Sequence, residues 1–118
     1  MKKILIVDDD EDILVLMQTM LSLYQYEVSA ISNWENIDNS ISGFAPDLIL
    51  LDISLGDADG RDICKRLKKE LPTENIPVIL FSANTELGKN YAESYARAFI
   101  PKPFELNVLL KTIGEHVN

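Results

Sequence analysis

A single cysteine excludes any internal disulfide framework, so the 47% hydrophobic content of these 118 residues must build the core. No apolar run is long enough to span a bilayer. Met1-Lys2-Lys3 is followed by only four apolar residues before an aspartate run, too few for a signal peptide, so the expected location is the cytoplasm. Basic residues are also scarce: Lys and Arg total 11 against 19 Asp and Glu, a formal net charge of −8. That balance argues against nucleic acid or a membrane surface as a direct partner, because both present phosphates that require basic patches. No repeat, linker or low-complexity segment interrupts the chain, and one domain is expected over residues 1–118.

What is present is organised around Asp47 to Gly60, DLILLDISLGDADG. Its short apolar run, opened by Pro46-Asp47 and closed by a turn rich in Gly and Asp, reads as a strand buried on both faces, with Asp52 where it leaves the core. An unpaired charge there costs several kcal/mol, roughly, so partners are expected. They stand at other strand ends. Ile4 to Val7 runs into Asp8-Asp9-Asp10, Val78 to Phe81 into Ser82-Ala83, and Ala98 to Ile100 into Pro101-Lys102-Pro103-Phe104.

Between these strands lie helical patterns. Ile13, Leu16, Met17, Met20, Leu21 and Tyr24 predict a first amphipathic helix over roughly 11–24. Val28 to Ile31 is a short strand, and Trp34, Ile37 and Ile41 mark a weaker helix ending near Gly43. Asp59 or Asp57 is a candidate cap for a third helix that turns Ile63, Cys64, Leu67 and Leu71 inward before Pro72. Glu86 to Tyr95 reads as a polar helix with Leu87, Tyr91 and Tyr95 on one side, and Leu106, Leu109, Leu110, Ile113 and Val117 stripe the last one. Proline cannot donate to a ladder, so the strand reaching Pro101 is expected at an edge. Five alternations of strand and helix argue for a doubly wound α/β fold. In its flavodoxin-like form the five parallel strands run in the order 2-1-3-4-5, with the site at the switch between strands one and three. Asp8, Asp9 and Asp52 end those two strands.

Carboxylates converging on one strand edge repel one another, and a hard divalent cation such as Mg2+ relieves them most cheaply. Each element alone has an ordinary reading: Asp8 to Asp12 as a solvated acidic helix start, Ser82 as a loop hydroxyl, Lys102 as a surface lysine. As a set, these motifs resemble the receiver domain of bacterial two-component response regulators, over essentially the whole chain. The resemblance implies that Asp52 accepts a phosphoryl group from a histidine kinase or phosphotransfer protein. The chain would then catalyse its own modification rather than turn over a metabolite. It implies a metal site of Asp9, Asp52, Asp8 and the backbone carbonyl of Ser54, charge supplied by Lys102 before a cis Pro103, and a phosphoryl hydrogen bond from Ser82. Ser82 and Phe99 would form the switch, and Ser54 and Asn84 stand where the family tunes dephosphorylation. The implied output surface is the fourth helix, fifth strand and fifth helix, with Tyr91, Tyr95 and Lys111 as candidate contacts to a target or dimer partner. Departures are Gly56 where a proline is usual and Tyr95 where a glycine is common. His116 is expected exposed and idle, and Cys64 and the methionines are packing residues.

Three rivals share parts of the pattern. A phosphatase of the haloacid dehalogenase class also uses Asp-x-Asp, which Asp8-Asp9-Asp10 supplies, but its later acidic pair and room for a cap domain are missing. A flavin binder would need a Ser/Thr/Gly phosphate cradle where the aspartates lie. The third rival is a receiver-like module that binds partners without phosphorylation, which mass spectrometry after a phosphodonor separates from the phosphoacceptor reading. No output domain follows Asn118, so a stand-alone receiver or a piece of a longer regulator is expected.

Overall fold

In the computed structural model of the chain, residues 1–117 are described. Five parallel strands form the central sheet: β1 (Lys3–Val7), β2 (Glu27–Ile31), β3 (Leu48–Asp52), β4 (Val78–Ser82) and β5 (Ala98–Pro101), in the order 2-1-3-4-5. The helices are α1 (Glu11–Leu23), α2 (Ile37–Phe44), α3 (Gly60–Lys69), α4 (Thr85–Gly88) and α5 (Leu106–His116). The doubly wound flavodoxin-like topology expected from the alternation is the one observed.

Period-2 alternation along the three inner strands divides the core. Ile4, Ile6, Leu48, Leu50, Ile79 and Phe81 pack with Leu14, Met17 and Leu21 of α1 and Leu109 and Ile113 of α5. Leu5, Val7, Ile49, Leu51, Val78 and Leu80 face the other way, onto Ile37 and Ile41 of α2 and Ile63, Cys64 and Leu67 of α3. Strands covered on both faces can be apolar throughout, and β1, β3 and β4 are buried along nearly their whole length. β5 is an edge strand, and Pro101 is its last residue, registered with Ser82.

Several local expectations need correction. The inward stripe of α1 is centred on Leu14, Met17 and Leu21, while Leu16 and Tyr24 are exposed. α1 is apolar on much of its circumference, so its pattern does not fix the phase of the buried face. Leu71 is 81% exposed because α3 ends at Lys69 and Glu70 already has extended backbone. The continuous helix over Glu86 to Tyr95 is absent. Asn84 caps a short α4, and after Lys89 and Asn90 a 3-10 turn covers Tyr91–Ser94. Leu87 and Tyr91 pack inward as expected, whereas Tyr95 is exposed at φ +65, in the left-handed region that explains the preference for glycine there. Asp59, not Asp57, caps α3, its carboxylate accepting from Arg61 N at 2.9 Å. His116 is half-buried rather than exposed.

Candidate functional site

The carboxyl ends of β1 and β3 lie side by side, Val7 registered with Leu51, so Asp8 and Asp52 arrive at the same sheet edge. Their three-residue aspartate run divides its labour. Asp8 is fully buried, Asp9 is exposed, and Asp10 caps α1 by accepting from Asp12 N at 3.0 Å and Ile13 N at 3.4 Å. The solvated-helix-start reading therefore holds for Asp10 and for Glu11 and Asp12 in the first turn of α1, but not for buried Asp8.

Lys102 is delivered by β5, its backbone N–H donating to Ser82 O at 2.9 Å, and the Lys102-Pro103 peptide is cis. Its ammonium donates to Asp8 Oδ2 at 2.8 Å and to Asp52 Oδ2 at 3.3 Å. The remaining oxygens are bonded to backbone: Asp8 Oδ1 accepts from Asp10 N at 2.9 Å, and Asp52 Oδ1 from Ser54 N at 3.2 Å. The Phe81 ring, whose residue registers with Asp52, lies 4.8 Å from the Lys102 ammonium and adds a cation–π contact. Phe81 has no polar atom and reads in sequence as core only, so its role at the site was not legible. Only its position one residue before Ser82 hinted at it.

The electrostatics follow from burial. Asp52 is pushed up to about 7, first by burial and then by the neighbouring charge of Asp8, against the opposing pull of Lys102 and the Ser54 N–H. Burial works against the Lys102 charge, yet its bond to Asp8 and the charges of Asp52 and Asp8 outweigh it, so its pKa is raised. Oxygens of Asp8, Asp9 and Asp52 all lie within 4.8 Å of one another, close enough to hold one metal ion. An all-oxygen donor set with more negative charge than one ammonium neutralises suits a hard divalent cation.

The other expected site residues lie around this edge. Ser82 is buried, and its hydroxyl oxygen accepts from Asn84 N at 3.0 Å; Asn84 itself is exposed, as is Ser54. Phe99 is half-buried and packs against the α2/α3 side of the core rather than touching the carboxylates. Gly60 has a close-approach role: a Cβ there would collide with the Asp52 carbonyl oxygen, so only glycine lets α3 start directly behind the site. Among the described residues no helix is long and apolar enough to cross a membrane.

A family model described as the response regulator receiver domain matches residues 4–114. Among curated proteins the chain is 37% identical to the nisin biosynthesis regulatory protein NisR of Lactococcus lactis subsp. lactis, covering 98% of this chain and 50% of that one. It is 35% identical to the alkaline phosphatase synthesis transcriptional regulatory protein PhoP of Bacillus subtilis (strain 168), covering 95% and 48%. The chain thus spans about half the length of these relatives. Among solved structures it is similar to the N-terminal domain of the nisin resistance regulator NsrR, with a TM-score of 0.86 and 37% identity over 99% of this chain and 98% of that one. A putative response regulator from Chloroflexus aurantiacus J-10-fl aligns with a TM-score of 0.91 at 25% identity, over 98% and 97%. With a family match of this extent behind the geometry, the chain belongs to the response regulator receiver domains of two-component signal transduction.

Proposed function

We propose that Asp52 is the phosphoacceptor of a Mg2+-dependent receiver, phosphorylated by a histidine kinase or a phosphotransfer protein. The observation that carries this reading is the Lys102 ammonium set between two buried carboxylates, 2.8 Å from Asp8 and 3.3 Å from Asp52. Such a buried charge cluster is a poor source of stability, and its perturbed ionisation is characteristic of functional sites.

Asp9, Asp52, Asp8 and the Ser54 carbonyl would hold the cation, which when bound neutralises charge on the phosphoryl oxygens. An Asp52 carboxylate oxygen attacks phosphorus, an O–P bond forms, the donor histidine's N–P bond breaks, and the departing imidazole nitrogen keeps the electron pair and takes a proton from solvent. Lys102 follows the charge from Asp52 toward the phosphoryl group, and Ser82, whose oxygen accepts from Asn84 N, turns its hydroxyl proton to donate to a phosphoryl oxygen. The catalytic groups all belong to this chain, so the modification is its own work. Asn84 and Ser54, exposed beside the site, set how readily water reaches the acyl phosphate.

Movement of Ser82 toward the phosphoryl group leaves space that the Phe99 ring fills, shifting populations between two packings. The changed surface comprises α4, β5 and α5, with exposed Tyr95 and Lys111 and half-buried Tyr91 meeting an output target or a second copy. The reading is tested by phosphotransfer from a phosphorylated histidine donor in Mg2+. Label on the chain should be acid-stable but labile to base and hydroxylamine, as a mixed anhydride is, and label that resists hydroxylamine contradicts it.

A further inference from the structure

Trp34 is the sole tryptophan, and its indole N–H donates to Asp57 Oδ1 at 3.3 Å across a sequence separation of 23. Asp57 sits at the tip of a short antiparallel hairpin, Ser54–Leu55 with Ala58–Asp59, that turns at Gly56 (φ +67) directly after β3. With Asp59 capping α3, the Asp57 carboxylate is left to receive the indole. Among the described residues this is the one side-chain hydrogen bond from outside that reaches the hairpin tip.

The hairpin begins at Ser54, whose N–H donates to Asp52 Oδ1 at 3.2 Å and whose carbonyl is the backbone oxygen of the proposed cation site. Its base is fixed by buried Ile53 and Leu55 and by Gly60 N donating to Ile53 O at 2.7 Å. Among the described residues the tip, beyond the Leu55–Ala58 pair, has no buried side chain of its own to anchor it. Gly56 and Asp57 are both exposed, and the proline that would restrict an unfastened turn is absent. Trp34 itself is held from below, half-buried against the core cluster that contains Ile53 and Leu55. It therefore joins the β2–α2 connection to the segment that completes the Asp52 site.

We infer that Trp34, through Asp57, is a positioning residue that holds the hairpin so that the Ser54 N–H and carbonyl are placed for cation binding and phosphoryl transfer at Asp52. The inference rests on the reading of Asp52 as phosphoacceptor. Trp34 touches neither reacting atoms nor cation.

The test uses the full chain as wild type, Trp34→Phe, Asp57→Ala and Asp57→Asn. The last retains an Oδ1 acceptor and so serves as the conservative rescue. Mg2+ binding is followed by titration calorimetry, Asp52 phosphorylation by intact mass with acetyl phosphate, and hairpin mobility by amide exchange at Ser54 and Leu55 without metal. A lost hydrogen bond of ordinary net strength predicts roughly two- to tenfold weaker Mg2+ binding and faster exchange in Trp34→Phe and Asp57→Ala. A Trp34→Phe/Asp57→Ala double variant, added to this set, should be no worse than the poorer single one, and Asp57→Asn should stay close to wild type. Wild-type exchange and Mg2+ affinity in Trp34→Phe overturn the inference, as does an Asp57→Asn as impaired as Asp57→Ala, which would assign the effect to charge. A wild-type chain that neither binds Mg2+ nor gains a phosphoryl group overturns the Asp52 reading and this inference with it.

Discussion

Gly88 and Phe99 face each other so closely that a Cβ on Gly88 would overlap the far end of the Phe99 ring. The half-buried ring can occupy its position against the core only because α4 presents no side chain there. Gly88→Ala should therefore displace the ring and cost about 1–3 kcal/mol, although alanine is otherwise the better helix former. Phe99→Leu should largely remove that penalty. Urea unfolding of the two single variants and the double one measures the coupling, and strictly additive effects would mean that the ring does not depend on Gly88.

The aspartate run predicts two separable losses. Asp10→Ala removes the α1 cap and should lower stability by about 1 kcal/mol while leaving Mg2+ affinity intact. Asp9→Ala removes an exposed group and should change metal-free stability little, within about 0.5 kcal/mol, but abolish the Mg2+-induced rise in melting temperature. A melting shift that survives in Asp9→Ala contradicts the assignment of that carboxylate to the cation.

The elevated Asp52 sets the direction of a pH dependence. Its folded pKa of about 7 lies above the ordinary 3.8, so between these values the folded chain holds a proton that the unfolded chain has released. Metal-free stability should thus fall as pH rises through this window and level off above it, by an order of 2–4 kcal/mol in all. Asp52→Asn should flatten the profile. Saturating Mg2+ should act in the opposite sense, stabilising more as pH rises, because its ligands must be deprotonated. Urea unfolding at about pH 5 and about pH 8, with and without Mg2+, reads all three slopes.

Cys64 gives an independent check on the α3 side of the core. Fully buried, its thiol is pushed up to about 11 by burial. Iodoacetamide at neutral pH should leave it unmodified in the folded chain and label it on unfolding, since the thiolate is the reactive form. Rapid labelling under native conditions would show that α3 opens readily.

The sheet was legible because its signals are local and redundant. The apolar run ending at Asp52 fixed a doubly covered strand, and Pro101 fixed an edge. α4 was not legible as it stands, because Leu87 and Tyr91 do fall on one face while the backbone between them leaves helical geometry at Asn90. The exposed Leu16 and Leu71 show the same limit, since apolar spacing does not say where a helix ends or which of several apolar faces is buried. At the site, Asp8, Asp52 and Lys102 were each identifiable from their place after a strand. Their pairing was not. Nothing in sequence says that the lysine 94 residues beyond Asp8 makes its shorter bond to that carboxylate rather than to Asp52. The Trp34 to Asp57 bond also joins distant segments, and both of its residues have routine local readings.

The central claim is that Asp52 accepts the phosphoryl group, and intact-mass spectrometry after acetyl phosphate and Mg2+ tests it most directly. The wild-type chain should gain the mass of one phosphoryl group and lose it on hydroxylamine treatment, while Asp52→Asn gains none. Undiminished phosphorylation of Asp52→Asn, or a wild-type chain that remains unmodified with Mg2+ bound, would contradict the account.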